Sequence, residues 1–363
     1  MGGSAPGLDQ LIATLRGGAG SDPAAAGQVA VAATRLRRPL RIQVTGRAGT
    51  GKSTLIRALA LISAEETEPV DQPGMTDPVL DGDLVIYLLS GAPQAADRRI
   101  LDALSRERAL VVLNKADAIG ARWADAVVAA ESAAHALDKP VRPVIADLAV
   151  RTRTDTPVER DMRTLRRHAA GGGPDLALSP ELFLDHGAGA DIDDRRQVLD
   201  RWSLYGVGCA LTALRHEPTL DPPRLLQLLH AVTGVDAVHR ELQARCAQLT
   251  AVRGSELIDE LERIAARAVP LGGGRARDLI EDYLCGDEAN RIALSSGLAH
   301  PAVRHLAAGY PTVLPADADT ALARAERWRA VLSGEMPPAA RRAALRVHNG
   351  YVRIWDRMSS AGF

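Results

Sequence analysis

Gly46-Arg47-Ala48-Gly49-Thr50-Gly51-Lys52-Ser53 gathers into one short run the groups that hold a triphosphate tail. It fits G-x-x-x-x-G-K-[ST] and lies between an apolar stretch ending at Thr45 and a helical pattern starting at Lys52. Glycines let the backbone wrap an anion without Cβ clashes. Successive N–H groups, with a helix amino terminus behind them, then face it. Lys52 would set its ammonium against the β and γ phosphates, and Ser53 would give its hydroxyl to Mg2+. Gly46, Gly49, Thr50, Gly51, Lys52, Ser53 and Thr54 are therefore the expected phosphate-binding residues. The pattern specifies a nucleoside triphosphate and is silent about the base.

Asn114-Lys115-Ala116-Asp117, directly after the apolar run 109–113, resembles a base-reading motif. A carboxylate at Asp117 can accept two hydrogen bonds, from guanine N1 and the 2-amino group. Adenine has no such donor pair and would leave a buried carboxylate unpaired. Asn114 can approach the purine N7/O6 edge and tie this loop to the phosphate loop, while the Lys115 stem can lie along the base. The chain has three lysines (Lys52, Lys115, Lys139) and three asparagines (Asn114, Asn290, Asn349), so their placement in these two runs argues against coincidence. The run resembles the N-K-x-D motif of GTPases, which implies guanine nucleotide, GTP or GDP, with Mg2+.

Three further segments are less specific. Asp71-Gln72-Pro73-Gly74 resembles the D-x-x-G element of GTPases, in which the aspartate reaches Mg2+ through water; it also has the composition of an ordinary turn, and both readings stand. Asp71 lies only 19 residues beyond Lys52, with scarcely room for another strand and with Thr67 as the sole threonine between the first helical turn and Asp71. Ala146, in Pro143-Val144-Ile145-Ala146-Asp147, stands where GTPases turn a backbone amide to guanine O6. Catalytic residues stay unassigned. Met75 follows Gly74 where many GTPases place a water-positioning glutamine, and Ala48 adds a methyl group where glycine is common. Arg47 is either an arginine finger in cis or a solvated side chain, the second being the expectation. The histidines and cysteines show no metal-ligand spacing.

Positioning these residues takes βα units. Residues 40–145 alternate apolar runs with helical patterns: strands are expected at 40–45, 84–89, 109–113 and 141–145, with a short fifth through 68–71, and helices near 53–64, 94–106 and 121–138. The expected fold is α/β, a mostly parallel sheet of P-loop GTPase type with helices on both faces, followed by an all-α helical domain. The expected domains are a helical segment at 1–38 (helices near 8–16 and 24–37), a nucleotide-binding domain at 39–150 and a helical domain at 151–363. Gly/Pro clusters at 171–174, 186–191 and 272–274 break the helical part. Asp221, Pro222 and Gly234 bound one helix. A longer one follows with Val238, Leu242, Leu249 and Val252 on a common face, and a pair near 318–333 and 337–357 closes the chain.

The 363 residues are 46% hydrophobic and 25% charged, ample for two cores, and a formal net charge of −1 argues against a dedicated nucleic-acid binder. Cys209, Cys246 and Cys285 read as buried free thiols. No apolar run approaches a membrane span, so a cytoplasmic protein is expected, with any membrane contact peripheral at the inner face.

Together, the helical lead-in, the phosphate loop, Asn114–Asp117 and the helical part resemble the small dynamin-like GTPases of actinobacteria. The resemblance is specific within 39–150 and looser beyond, where it rests on Trp202-Ser203-Leu204-Tyr205-Gly206-Val207 and Thr233-Gly234-Val235-Asp236. It implies a GTPase, a GTP hydrolase whose nucleotide state controls association of its helical domain with a protein partner, either a second copy or a second dynamin-like GTPase. The shortened stretch between Lys52 and Asp71 departs from the family. It leaves open a GTP-binding regulatory or scaffold subunit with negligible hydrolysis, and a membrane-remodelling mechanoenzyme is the third reading.

Overall fold

A computed structural model of the chain describes residues 7–17, 22–72, 74, 76–120, 122–154, 159–171, 179–185, 191–267, 274–310 and 312–360. Two compact units emerge, Leu40–Gln243 and Met1–Pro39 with Ala244–Phe363. Pro73, Met75 and most of the expected helix breaks (172–174, 186–190 and 272–273) lie outside the described residues.

Helices α1 (Leu8–Arg16) and α2 (Pro23–Arg37) precede the sheet. Pro23 in the first turn of α2 and the Asp22 carboxylate, which accepts the Ala25 N–H at 2.9 Å, explain why α2 starts where it does. The unit 40–243 is built on five parallel strands in the order β2-β1-β3-β4-β5: β1 (Ile42–Gly46), β2 (Glu65–Glu66), β3 (Leu84–Leu89), β4 (Ala109–Leu113) and β5 (Val141–Pro143). Every residue of Leu-Val-Ile-Tyr-Leu-Leu in β3 is buried. Successive strand side chains point to opposite faces, so a fully apolar run marks a central strand covered on both sides. Helices α4 (Ala95–Asp102) and α5 (Trp123–Leu137) cover one face, with Leu101 and Ala133 packed on Val85, Tyr87 and Val111. On the edge, β2 carries two exposed glutamates, which discourage further pairing.

Two sequence expectations shift here. The fifth strand lies at Glu65–Glu66 and not at 68–71, because helix α3 (Lys52–Ala58) stops early. Ala60 turns into the left-handed region (φ 52°), so the chain rejoins β1 sooner. The later residues still follow β1, the Thr67 N–H donating to the Val44 carbonyl and the Val70 N–H to the Gly46 carbonyl.

Beyond β5, among the described residues, only helices and short 3-10 turns occur. In the same unit, α6 (Ala146–Thr154), α7 (Glu159–Gly171), α8 (Pro180–Asp185), α9 (Ile192–His216) and α10 (Pro222–Ala231) share a core that includes Leu148, Met162, Phe183, Trp202 and Leu229. Ala116 and Ile145, from the loops after β4 and β5, are part of that core. Asp221 caps α10 by accepting the Arg224 N–H at 2.8 Å.

Helix α11 (Val235–Arg267) starts in this unit and continues into the other. Val238 and Leu242 are buried as the spacing implies, but Leu249 is half-buried and Val252 is 45% exposed; from Leu257 onward a different set, including Leu261 and Ile264, is buried. That set packs against Leu11 and Leu15 of α1, Val29 of α2 and Ile280 of α12 (Gly274–Cys285). A separate core joins α13 (Asp287–Ala299), α14 (Ala318–Leu332) and α15 (Pro338–Ser360) through Leu294, Trp328, Val347 and Tyr351. All three cysteines are free, but contrary to the expectation of burial Cys209 and Cys246 are half-buried and Cys285 is exposed. Among the described residues no helix is long and apolar enough to cross a membrane.

Candidate functional site

Parallel strands present all their carboxyl ends at one edge, and a ligand crevice forms where the strand order reverses. Here that point lies between β1 and β3, and the loop leaving β1 is Gly46–Gly51. Two of its glycines are dictated by neighbours. At Gly46 (φ 149°) a β-carbon would stand 2.6 Å from the Leu88 carbonyl oxygen of β3; at Gly51 (φ 91°) it would stand 2.5 Å from Asn114 Nδ2. Gly49 (φ 71°) faces nothing within 4 Å among the described residues, and its backbone conformation is what demands glycine. Thr50 Oγ1 donates back to the Arg47 carbonyl at 2.9 Å and steadies the turn.

The first bond of α3 runs from the Leu55 N–H to the Gly51 carbonyl, so the amides of Lys52, Ser53 and Thr54 have no acceptor inside the helix. Lys52 is only 7% exposed, and among the described residues no carboxylate pairs with it. A lysine buried to that degree without a counter-charge suits an anion brought from outside. Ser53 is exposed at the start of the helix.

Asn114 joins three segments. Its backbone N–H donates to the Leu89 carbonyl at 2.8 Å, Nδ2 donates to the Thr50 carbonyl at 2.9 Å, and Oδ1 accepts the Ala146 N–H at 3.1 Å. The residue is 3% exposed, with both its side-chain nitrogen and its side-chain oxygen engaged. The Ala146 amide, assigned from the sequence to guanine O6, is thus directed at Asn114. Lys115 follows in the left-handed conformation (φ 59°), exposed, and turns the chain into the short 3-10 turn Ala116–Ala118. Asp117 on that turn is half-buried, and among the described residues no cation forms an ion pair with it. Desolvation raises its pKa, its own backbone N–H partly offsets this, the Asp147 carboxylate pushes it further up, and Lys115 eases it. A desolvated acceptor with little compensation is poised for donors from a ligand.

The remaining expectations divide. Arg47 is not solvated: its guanidinium is 13% exposed and its Nε donates to Asp97 at 3.1–3.2 Å. Asp97, from the first turn of α4, is fully buried, accepting also the Tyr87 hydroxyl at 2.8 Å and the Gln94 N–H at 2.7 Å. Burial first, and then the bond to Asp97, push the Tyr87 phenol above its ordinary pKa. Sequence reasoning missed this network. Asp97 has the spacing of a capping residue, but its contact with a loop 50 residues away has no local signature. Asp71 Oδ1 accepts the Ala48 N–H of the phosphate loop at 2.8 Å, and Thr67 Oγ1 donates to Thr45 Oγ1 at 2.8 Å. Met75 is outside the described residues. Among the described residues no group of three or more His, Cys, Asp or Glu forms a metal site.

No protein-family model, no curated protein and no solved structure matches this chain.

Proposed function

We propose that the chain binds guanine nucleotide in the crevice between the phosphate loop and Asn114–Asp117, with a P-loop GTPase-type sheet as its frame. The observation that carries the reading is the Asn114 side chain, bonded to Thr50 of the phosphate loop while Asp117 lies three residues on, desolvated and without an ion-pair partner among the described residues. In this reading Lys52 neutralises the β and γ phosphates, Ser53 contributes its hydroxyl to Mg2+, and Asp117 accepts from guanine N1 and the 2-amino group. The bound metal would supply charge neutralisation at the phosphates. Lys115, held in its left-handed turn, presents its stem to the base. Because Ala116 and Ile145 lie in the helical core, occupancy of the crevice is coupled by contact to α6 and α9. That coupling supports a role in which nucleotide controls association of the helical part with a protein partner, as the resemblance to dynamin-like GTPases implies.

Calorimetric titration with GTP, GDP and ATP is the test. Guanine nucleotides should bind and ATP should not, and Lys52→Ala should remove the binding; tight ATP uptake would sink the proposal. Asp117→Asn should shift preference toward xanthine nucleotide, whose C2 carbonyl accepts where guanine donates, at a cost to GTP of about 1.5–3 kcal/mol.

Whether GTP is hydrolysed separates two versions. The enzyme version places the chain among GTPases. The regulatory-subunit version is favoured by the commitment of Arg47 to the buried Asp97, which keeps that guanidinium from reaching over the loop. Magnesium-dependent turnover, measured alone and with increasing protein concentration, decides: turnover that Lys52→Ala abolishes establishes the enzyme.

A further inference from the structure

A phosphate loop works by turning backbone N–H groups toward an anion, and in this chain one of those groups already has an anion. Asp71 Oδ1 accepts the Ala48 N–H at 2.8 Å. An amide carries a single hydrogen, so a carboxylate oxygen and a phosphate oxygen compete for it. The carboxylate is delivered by the fold. Glu65 and Glu66 pair with Gln43 and Val44, and the Thr67 N–H donates to the Val44 carbonyl. Thr67 Oγ1 then bonds Thr45, and the Val70 N–H donates to the Gly46 carbonyl while its side chain is buried on the sheet. After four such ties the next residue, Asp71, has little choice but to face the loop.

The other carboxylate bonded to the phosphate loop shows the contrast. Asp97 is fully buried and neutralised by Arg47, so it is a fixed part of the frame. Asp71 is exposed, and among the described residues no lysine, arginine or histidine pairs with it, so water can receive it when it leaves.

We infer that Asp71 is a specificity determinant of the nucleotide site, an internal anion on the Ala48 amide that the terminal phosphate of a triphosphate must displace. The inference rests on the guanine-nucleotide reading above. In it the chain favours the diphosphate, since a shorter tail leaves the Asp71–Ala48 bond in place, and triphosphate binding releases the Asp71 carboxylate from the loop to water. This is opposite in sign to the part the D-x-x-G resemblance gives Asp71, where the carboxylate reaches Mg2+ through water and aids the triphosphate.

The experiment is calorimetric titration of the full chain and of Asp71→Ala with GDP and a non-hydrolysable GTP analogue, each with Mg2+ and with EDTA. Asp71→Ala should raise the ratio of triphosphate to diphosphate affinity by about tenfold, the scale of one charge-assisted hydrogen bond exchanged, and should do so without metal as well. Asp71→Asn, which keeps an acceptor but loses the charge, should fall between. A fall in triphosphate affinity confined to Mg2+ overturns the inference in favour of a metal role. Equal changes for both nucleotides overturn it in favour of general loosening. A wild-type chain that binds neither nucleotide overturns the parent reading along with it and is thereby told apart from these two results.

Discussion

Asn114 Nδ2 donates to the Thr50 carbonyl across 2.9 Å, and the same nitrogen stands where a side chain on Gly51 would have to go. The loop for the phosphates and the loop for the base are therefore one packed structure. Asn114→Ala leaves the Thr50 carbonyl and the Ala146 N–H without their partner, each orphaned group costing about 1–3 kcal/mol. Gly51→Ala forces a β-carbon against Asn114 in a left-handed backbone. Both variants should lower the urea midpoint and weaken nucleotide binding together. A variant that keeps its stability and loses only nucleotide would place Asn114 on the ligand and not on the frame.

The bond between Arg47 and Asp97 predicts an asymmetry. Arg47→Ala leaves Asp97 buried with a charge and no cation, a loss on the order of 3–5 kcal/mol for a fully buried pair and less for the slightly exposed arginine. Adding Asp97→Asn removes that charge, so the double variant should recover part of the loss. A double-mutant cycle by chemical denaturation measures it. If Arg47→Ala unfolds within about 0.5 kcal/mol of wild type, as a surface substitution does, the guanidinium is solvated after all.

What was legible in the sequence follows from which interactions are local. The central strands, the phosphate loop and the caps at Asp221 and Pro222 depend on near neighbours and on hydrophobic period, and these read directly from residue types. Arg47 looked like a surface side chain because its partner lies 50 residues away and is buried only once β3 and α4 have packed. The short β2 was misplaced because its glutamates lack strand propensity; pairing with β1 alone makes them a strand. Ala146 was assigned by position, and nothing local says that Asn114 Oδ1 takes its amide.

Asp117 predicts a pH dependence. Its pKa is raised by burial, so on acidification it takes its proton before an ordinary aspartate, whose value is 3.8. Above the raised value the carboxylate can accept from guanine; as pH falls through it that ability goes. Full guanine affinity is therefore expected at neutral pH, with loss beginning above the ordinary aspartate range. The folded state binds this proton more tightly than the unfolded chain, so Asp117 itself favours folding more as pH falls through the same window. The ratio of GTP to ITP affinity isolates the effect, because inosine lacks the 2-amino donor. A ratio constant from about pH 7 to about pH 4 would exclude the carboxylate from base recognition.

Ser203 gives the last prediction. It lies inside α9 with φ 57° and ψ 169°, a region that is essentially glycine's alone, and it breaks the helix between Trp202 and Tyr205. Its buried hydroxyl has no hydrogen-bond partner among the described residues. Both features cost free energy, the backbone about 1–3 kcal/mol. The surroundings explain why the kink persists: Trp202 is buried on one side of it, and on the other Gly206 lets Leu148 of α6 approach to 3.2 Å of where its β-carbon would be. Packing on α6 thus holds a conformation the backbone would otherwise leave. Ser203→Gly keeps the kink and relieves the strain. After the greater chain entropy of glycine in the unfolded state is offset, it should stabilise the chain by about 1 kcal/mol. Ser203→Ala removes only the hydroxyl and should gain less. Urea unfolding of the two variants ranks them, and an alanine variant more stable than the glycine one would mean that α9 prefers to run straight and that the packing on Leu148 does not hold the bend.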